Sequence, residues 1–506
     1  MIRLFLTLLS LLASALLWAQ KMPEELMERE MRGIWVASVA NIDWPSAPGL
    51  SEEALCREAD AILDRSVAMG LNVVFLQVRP SSDALYRSSI EPPSYYLVGT
   101  NFDAPLSFDP LSYWIEGAHR RGLELHAWIN PFRVTPKADF PIAPSHIASR
   151  HPEWIIKYNN KLYLDPGIPE ARQYVTKVVM DIVSRYDIDG IHFDDYFYPY
   201  PAKGDVFDDS KSFAKFNPLH QTQANWRRSN VTAVIASVSE EIRKEKPWVQ
   251  FGISPFGVWR NKRDDAKGSD TKAGVSDYDV LYADILNWID DSLIDYVVPQ
   301  VYWEHGNKWC DFDVLQRWWG ERSTDATKVF IGHAVFKIND GKVPNAGWNA
   351  KSEMPDQISK VRKNSKLDGS VYFSFRQFNR DILGFEDYLS SDFYRDKALQ
   401  VPVTKGRADE ITITHLERDG RTLTWDVEGD TSQVRFFVVY RAPRAESEKI
   451  GVNETILCIV DRPSVNLTVC QGKRQRYVYR VAAVDKYRVV HGLSRRITVR
   501  EGGGEY

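Results

Sequence analysis

Asp189-Gly190-Ile191-His192-Phe193-Asp194-Asp195 is the stretch that decides the fold. Ile191 and Phe193 share one parity, and His192 and Asp194 share the other, so one face of a short strand is apolar and the opposite face is polar and ionisable. Seven other short apolar runs flank it, at 33–37, 73–78, 125–130, 251–255, 296–302, 329–335 and 370–375. Between the runs lie amphipathic stretches at 52–69, 111–121, 171–186, 231–244, 282–290 and 354–363. Eight strands alternating with helices predict an α/β protein whose parallel sheet closes into a (β/α)8 TIM barrel. A doubly wound open sheet is the rival. It is weakened by the count of eight and by the lack of a GxGxxG turn after the first strand.

A barrel makes side chains alternate between its interior and the helix layer, and it gathers chemistry at strand C-terminal ends. The same polar parity recurs in the other strands. The second offers Gln77 and Arg79, with Asp83 just beyond; the third offers His126, Trp128 and Asn130. The fourth gives His192 and Asp194, the sixth Gln300, Tyr302 and Glu304, and the eighth Tyr372, Ser374 and Arg376. Burying one such group without a partner costs a few kcal/mol. Their recurrence therefore predicts a shared polar cleft, set against the alternative of a buried network that merely holds the barrel together.

The chain has 506 residues, 44% of them apolar and 26% charged, which excludes disorder and allows two folded units. Lys and Arg number 64 against 68 Asp and Glu, a near-balance that argues against a nucleic-acid partner. Sixteen Trp and 23 Tyr exceed what a core alone needs, and such side chains suit wet binding surfaces. Arg3 followed by the apolar run 4–18 reads as a signal peptide of residues 1–19. That run is short for a membrane span, so export to the periplasm or cell envelope without a stable membrane anchor is expected. Cys56 and Cys310 are isolated. Cys458 and Cys470 fit either a bridge across a hairpin or two free thiols, since spacing does not fix their separation. No CxxC, HExxH or zinc-spaced histidine cluster occurs, so neither metal nor other cofactor is expected.

After about residue 400 the pattern changes to seven short strands and no helix, at 410–415, 422–427, 435–441, 454–460, 464–470, 476–485 and 497–499. Seven strands in that length predict a small all-β sandwich. Leu423-Thr424-Trp425, Val438-Val439-Tyr440-Arg441 and the run 477–485 resemble the fibronectin type III pattern. The expected organisation is a signal at 1–19, a barrel at 30–395 and the sandwich at 405–502. The sandwich carries no evident reactive constellation, which leaves it spacing, docking or weak glycan contact.

Carboxylates at the strand ends of an aromatic-lined barrel suit glycosidic bond cleavage. That reaction needs one carboxylic acid to protonate the leaving oxygen, and a carboxylate opposite it as nucleophile or base. Asp194 is the nucleophile candidate. Asp195 is its neighbour, or the nucleophile itself if the strand ends one residue later. Glu304 is the acid candidate. Against these stand plainer readings: Asp194-Asp195 as a metal site or helix cap, and Glu304 as a loop residue beside His305 and Gly306. A carboxylate on a substrate would need a cation, and Arg79, Arg133, Arg260 and Arg376 fall at or just beyond strand ends. Trp44, Trp128, Tyr196, Tyr198, Trp259, Trp303 and Trp348 are candidates to stack on sugars, with about half expected to reach the cleft.

The same residues carry a family resemblance. Residues 31–39 with Asp43-Trp44-Pro45, Gln77-Val78-Arg79-Pro80 with Asp83-Ala84-Leu85-Tyr86, and His126-Ala127-Trp128-Ile129-Asn130-Pro131 resemble the glycosyl-hydrolase-like 10 family. Residues 189–199, 252–260 and 299–303 continue the pattern in order, so the likeness covers about 30–390. Bacterial members include an envelope enzyme that cleaves peptidoglycan glycan strands stripped of their stem peptides. The resemblance therefore implies a secreted glycoside hydrolase with a glycan substrate. Hydrolysis of another polysaccharide, and a non-catalytic envelope glycan-binding protein, are the alternatives.

Overall fold

The computed structural model describes residues 29–103, 105–341, 347–402, 406–467 and 475–501. The expected export segment lies outside them. So does Cys470, and with it the Cys458–Cys470 pairing.

Eight parallel strands form the barrel: β1 Met31–Val36, β2 Val73–Arg79, β3 Glu124–Ile129, β4 Gly190–Phe193, β5 Gln250–Ile253, β6 Tyr296–Val297, β7 in two stretches, Lys328–Val329 and Ile331–His333, and β8 Gly369–Tyr372. They pair in sequence order. The first stretch of β7 pairs with β6, the second with β8, and β8 with β1. Only Phe330 separates the two stretches, so β7 closes the ring. The sixth strand is shorter than the apolar run implies because Pro299 follows it and has no N–H to give a ladder. Helices follow the strands in turn: α1 Glu52–Ala68, α2 Pro110–Arg120, α3 Pro169–Arg185, α4 Gln223–Glu245, α5 Ile285–Asp290, α6 Phe312–Gly320, α7 Glu353–Lys363 and α8 Phe385–Tyr388. Ser51 caps α1 by accepting from Ala54 N–H, and Asp109 caps α2 ahead of Pro110 at its first turn.

Parity sorts the core as expected for most strands. Val74, Leu76, Val78, Leu125, Ala127, Ile191, Phe193 and Phe251 pack in the helix layer. Met31, Trp35, Val73, Phe75, Trp128, Tyr296 and Phe330 pack inside the barrel. Two strands carry small residues where large neighbouring rings need the room. A Cβ on Gly190 would meet His126 Nδ1 at 2.4 Å, and one on Gly252 would meet the Tyr296 ring at 2.1 Å.

Two expectations about facing are corrected. Tyr372 pairs level with the outward Ile34, so it faces the helix layer and bonds Tyr394 through its hydroxyl; Val371 takes the interior position instead. In β2 the register against β3 shifts between Gln77 and Arg79, so Arg79 pairs with the outward Ile129 and leaves the polar interior parity.

Between β3 and α3 an antiparallel insert of Arg133–Thr135, Ile155–Tyr158 and Lys161–Leu164 rises over the barrel's C-terminal face. Beyond the barrel, Thr412–Asp419, Thr422–Glu428 and Ser464–Asn466 form one antiparallel sheet. Ile456–Val460, Val434–Pro443, Gln475–Asp485 and Ile497–Glu501 form a second. Leu423, Trp425, Phe437, Val439, Tyr479 and Val481 fill the space between the two sheets. All seven expected strands are present in this small sandwich.

The sandwich docks on the opposite end of the barrel, where the strands begin. Arg435 bonds Asp187 through both Nη atoms and sits 2.8 Å from Asp189. Arg488 Nε is 2.8 Å from the carboxylate of Glu124, the first residue of β3, and Lys486 reaches Asp187. Asp189 also accepts from Leu125 N–H at 2.8 Å, stitching the entry of β4 to β3.

Candidate active site

The site grows from the ends of β2, β3 and β4. Gln77 Oε1 accepts from the backbone N–H groups of Ser38 and Val39, each at 2.9 Å, which fixes the orientation of its amide. Its Nε2 then donates to Asn130 Oδ1 at 2.6 Å, and Asn130 Nδ2 donates in turn to Asp194 Oδ2. The other Asp194 oxygen accepts from Tyr196 N–H. A relay of oriented amides therefore sets the position of one buried carboxyl.

Asp195 leans the other way. Tyr200 donates its hydroxyl to Asp195 Oδ2, and Gln300 and Tyr302 in the segment beyond β6 lie on that side. One strand end thus offers one carboxyl toward β3 and one toward β6. Burial pushes Asp194 above the usual carboxylate range, with Arg133, Tyr196 N–H and Asn130 pulling it back. Asp195 is pushed up to about 7, first by burial and then by the charge of Asp194. Near neutrality such a pair holds one carboxylate and one carboxylic acid, the combination that protonates a leaving oxygen while a second group attacks or activates water.

The strand-end pattern misses a third carboxyl. Asp277, in the long loop after β5, is buried and accepts from Phe256 N–H at 3.0 Å, while its Oδ2 has no partner among the described residues. Burial, then the charge of Asp195, raises it well above the carboxylate range, and it stands close enough to Asp195 for the two charges to interact. Only its loop brings it there, 24 residues past Ile253, and no sequence periodicity marks it.

Beneath this layer, rings fill the barrel. Trp35 Nε1–H donates to His192 Nε2 at 3.1 Å, and Ser254 Oγ lies 2.9 Å from the same nitrogen. His192 Nδ1 and His126 Nδ1 both meet the Tyr296 hydroxyl. An indole N–H can only donate, so His192 Nε2 carries a lone pair, and burial holds that ring well below the usual histidine range. His126 and His192 are packed supports, not the sugar ligands expected of them.

Other expected site residues are spoken for. Arg79 is fully buried in a two-bond pair with Glu91, 2.8 and 2.6 Å. Asp83 accepts from Ser81 and Tyr95 N–H and organises the turn after β2. Arg260 is held by Asp265 and Asp279. Tyr198 is buried against Phe207 and Tyr282, and Trp259 is stacked on Trp318. Trp44 and Trp348 are also buried. Glu304 accepts from Asn307 Nδ2 and Trp348 Nε1, 2.7 and 3.0 Å, and no bond joins it to Asp194 or Asp195 among the described residues. Arg376 is exposed and lines a separate cavity of about 480 Å³ at the β1–β8 rim with Asp43, Glu58 and Arg65.

What remains around the aspartates is Trp128 from below, half-buried Tyr196, Tyr302 and Trp303, and Arg133 from the insert. Trp303 packs edge-on against Phe256, and Arg133 lies 4.4 Å above the Tyr196 ring.

A closed barrel carrying paired acids and aromatic walls at its C-terminal face is the setting of a glycoside hydrolase. Residues 30–350 match the glycosyl hydrolase-like 10 family, and the chain belongs to that family. It is 38% identical over 483 residues to the glycosyl hydrolase YngK of Bacillus subtilis, covering 93% of this chain and 94% of that one. It is 35% identical over 378 residues to the glycosyl hydrolase DigH of Escherichia coli, covering 71% of this chain and 84% of the relative. Among solved structures, the glycoside hydrolase domain of PgaB from Bordetella bronchiseptica aligns with 72% of this chain and 99% of its own, at 11% identity and a TM-score of 0.48. That likeness is loose, and the fold stands on the strand pairing described above.

Proposed function

We propose that this glycoside hydrolase is exported to the cell envelope and cleaves the glycan strands of peptidoglycan, acting on strands freed of stem peptides. Asp195 gives its proton to the leaving oxygen, and Asp194, held as the carboxylate, attacks the anomeric carbon or activates water. The observation that carries the chemistry is the split pair: Asp195 pushed up to about 7 beside an Asp194 oriented by Asn130. The apolar run 4–18 behind Arg3 supports export, and the sequence resemblance supports the substrate. The three-plus-four strand order supports a fibronectin type III relationship for the sandwich.

Reducing-end release from purified peptide-free peptidoglycan, by the wild type and Asp194→Asn, tests this reading. Release by the wild type with near-complete loss in the variant is expected. Release only from an unrelated polysaccharide, or binding without release, overturns it.

A further inference from the structure

Four arginines stood at expected strand ends, and the structure separates them by what holds each head group. Arg79 is spent on Glu91, Arg260 is spent on Asp265 and Asp279, and Arg376 belongs to the rim cavity. Arg133 differs. Among the described residues no carboxylate bonds its guanidinium, and the side chain is only half-buried. Its carbonyl is held by the Ser82 hydroxyl at 2.9 Å, and its head lies over the Tyr196 ring, 4.4 Å from the centroid. Tyr163 from the insert and Tyr96 from the short helix Tyr95–Val98 after β2 feel its charge, as Asp194 does. A positioned, delocalised cation with open donors stands in an aromatic setting beside the hydrolytic pair.

A guanidinium in that state matches a carboxylate with two parallel bonds, while a neutral sugar hydroxyl leaves most of its donors unused. We infer that Arg133 is the residue that reads an anionic substituent on the sugar beside the scissile bond, so that the enzyme selects glycan bearing a free carboxylate there. On the substrate reading above, on which this rests, that group is the lactyl carboxylate of the muramyl sugar. An amide bond to a stem peptide removes both the charge and one acceptor oxygen. Arg133 also faces Asp194, so a test has to separate reading the substrate from supporting the carboxylate.

The experiment compares kcat/KM on peptide-free peptidoglycan glycan with kcat/KM on the same glycan after its carboxyls are reduced to alcohols. The wild type is expected to favour the carboxylate form by about 10- to 100-fold, in the range that loss of a bidentate charged contact produces. In Arg133→Gln that ratio is expected to fall toward one, and in Arg133→Lys to land between, since an ammonium keeps charge but not the fork. A wild-type ratio near one overturns the inference. So does a variant that loses rate equally on both glycans, which would leave Arg133 serving Asp194 alone. Calorimetric titration of Asp194→Asn with the isolated muramyl disaccharide and its reduced form gives the same comparison without turnover. If the wild type cleaves neither glycan, the substrate reading fails. Arg133 is then judged by whether the titration distinguishes the two disaccharides, with equal binding, or none by either, overturning it.

Discussion

The two ends of this barrel carry acids of the same kind in opposite states. At the strand N-termini, Asp187, Asp189 and Glu124 are met by Arg435, Arg488 and Lys486 from the sandwich. Against the cost of burial, Arg435 and then Lys486 hold Asp187 down to about 2, and Arg435 and His119 take Asp189 lower still. At the C-terminal face, Asp194, Asp195 and Asp277 are as deeply buried as Asp189 and Glu124, whereas Asp187 is exposed; the cation that acts on Asp194 is Arg133, and all three are raised. Compensated acids fix geometry; acids left partly uncompensated keep a proton available for transfer. The sandwich therefore belongs to the structural end, which explains why its own sequence holds no reactive constellation.

The largest way to break this contrast is at the reactive end. Asp194→Asn removes the charge and keeps an acceptor for Asn130 or Tyr196, and is expected to lower glycan hydrolysis on the order of 10³-fold with about 1 kcal/mol of stability lost. A melting curve beside a reducing-end assay checks both halves. At the other end the signs invert. Arg435→Met strands the buried Asp189 without its main partner and is expected to cost about 3–5 kcal/mol in denaturant unfolding, while folded enzyme keeps its turnover.

The pH dependence of stability sharpens the same contrast. Asp195 has a folded-state pKa above its unfolded value, so the folded chain binds the extra proton and stability falls as pH rises from about 4 through 7. Asp195→Asn removes that penalty and is expected to stabilise the protein by roughly 2–4 kcal/mol at pH 8, with little change at pH 4. Asp187 and Asp189 are depressed, so their contribution is present above about pH 4 and is lost as pH falls toward 2. Unfolding free energies across pH for the wild type and Asp195→Asn measure both slopes. The smallest effect is expected at Glu304→Gln, where the amide keeps an acceptor for Asn307 or Trp348. Activity should stay within a few-fold, with about 1 kcal/mol of stability lost.

Much of this was legible in the sequence because period-two alternation is a local property. Gln77 declares its face within its own strand, Asn130, Asp194 and Gln300 do so by continuing the parity of the strands they follow, and seven tail strands follow from apolar spacing alone. Failures arise where a longer-range contact decides. The register shift in β2 takes Arg79 to Glu91, and the level pairing of Tyr372 with Ile34 turns that ring outward. The insert had a signal of its own. Tyr158-Asn159-Asn160-Lys161 places two asparagines with positive φ between short apolar runs, the mark of a tight hairpin. Asp277 had none, because a loop of irregular backbone carries it to Asp195. The arginines of the sandwich are equally silent in sequence, since nothing local says which acids they meet.

Whether Asp195 supplies the proton is read from the pH profile of kcat/KM on peptide-free glycan for the wild type and Asp195→Asn. A group held near 7 and needed in its protonated form gives the wild type a basic limb that falls above about pH 7. In the variant the residual rate should be far lower, and that limb should be gone. If Asp195→Asn keeps the wild-type limb, the proton comes from elsewhere and the contrast between the two ends does not describe the chemistry.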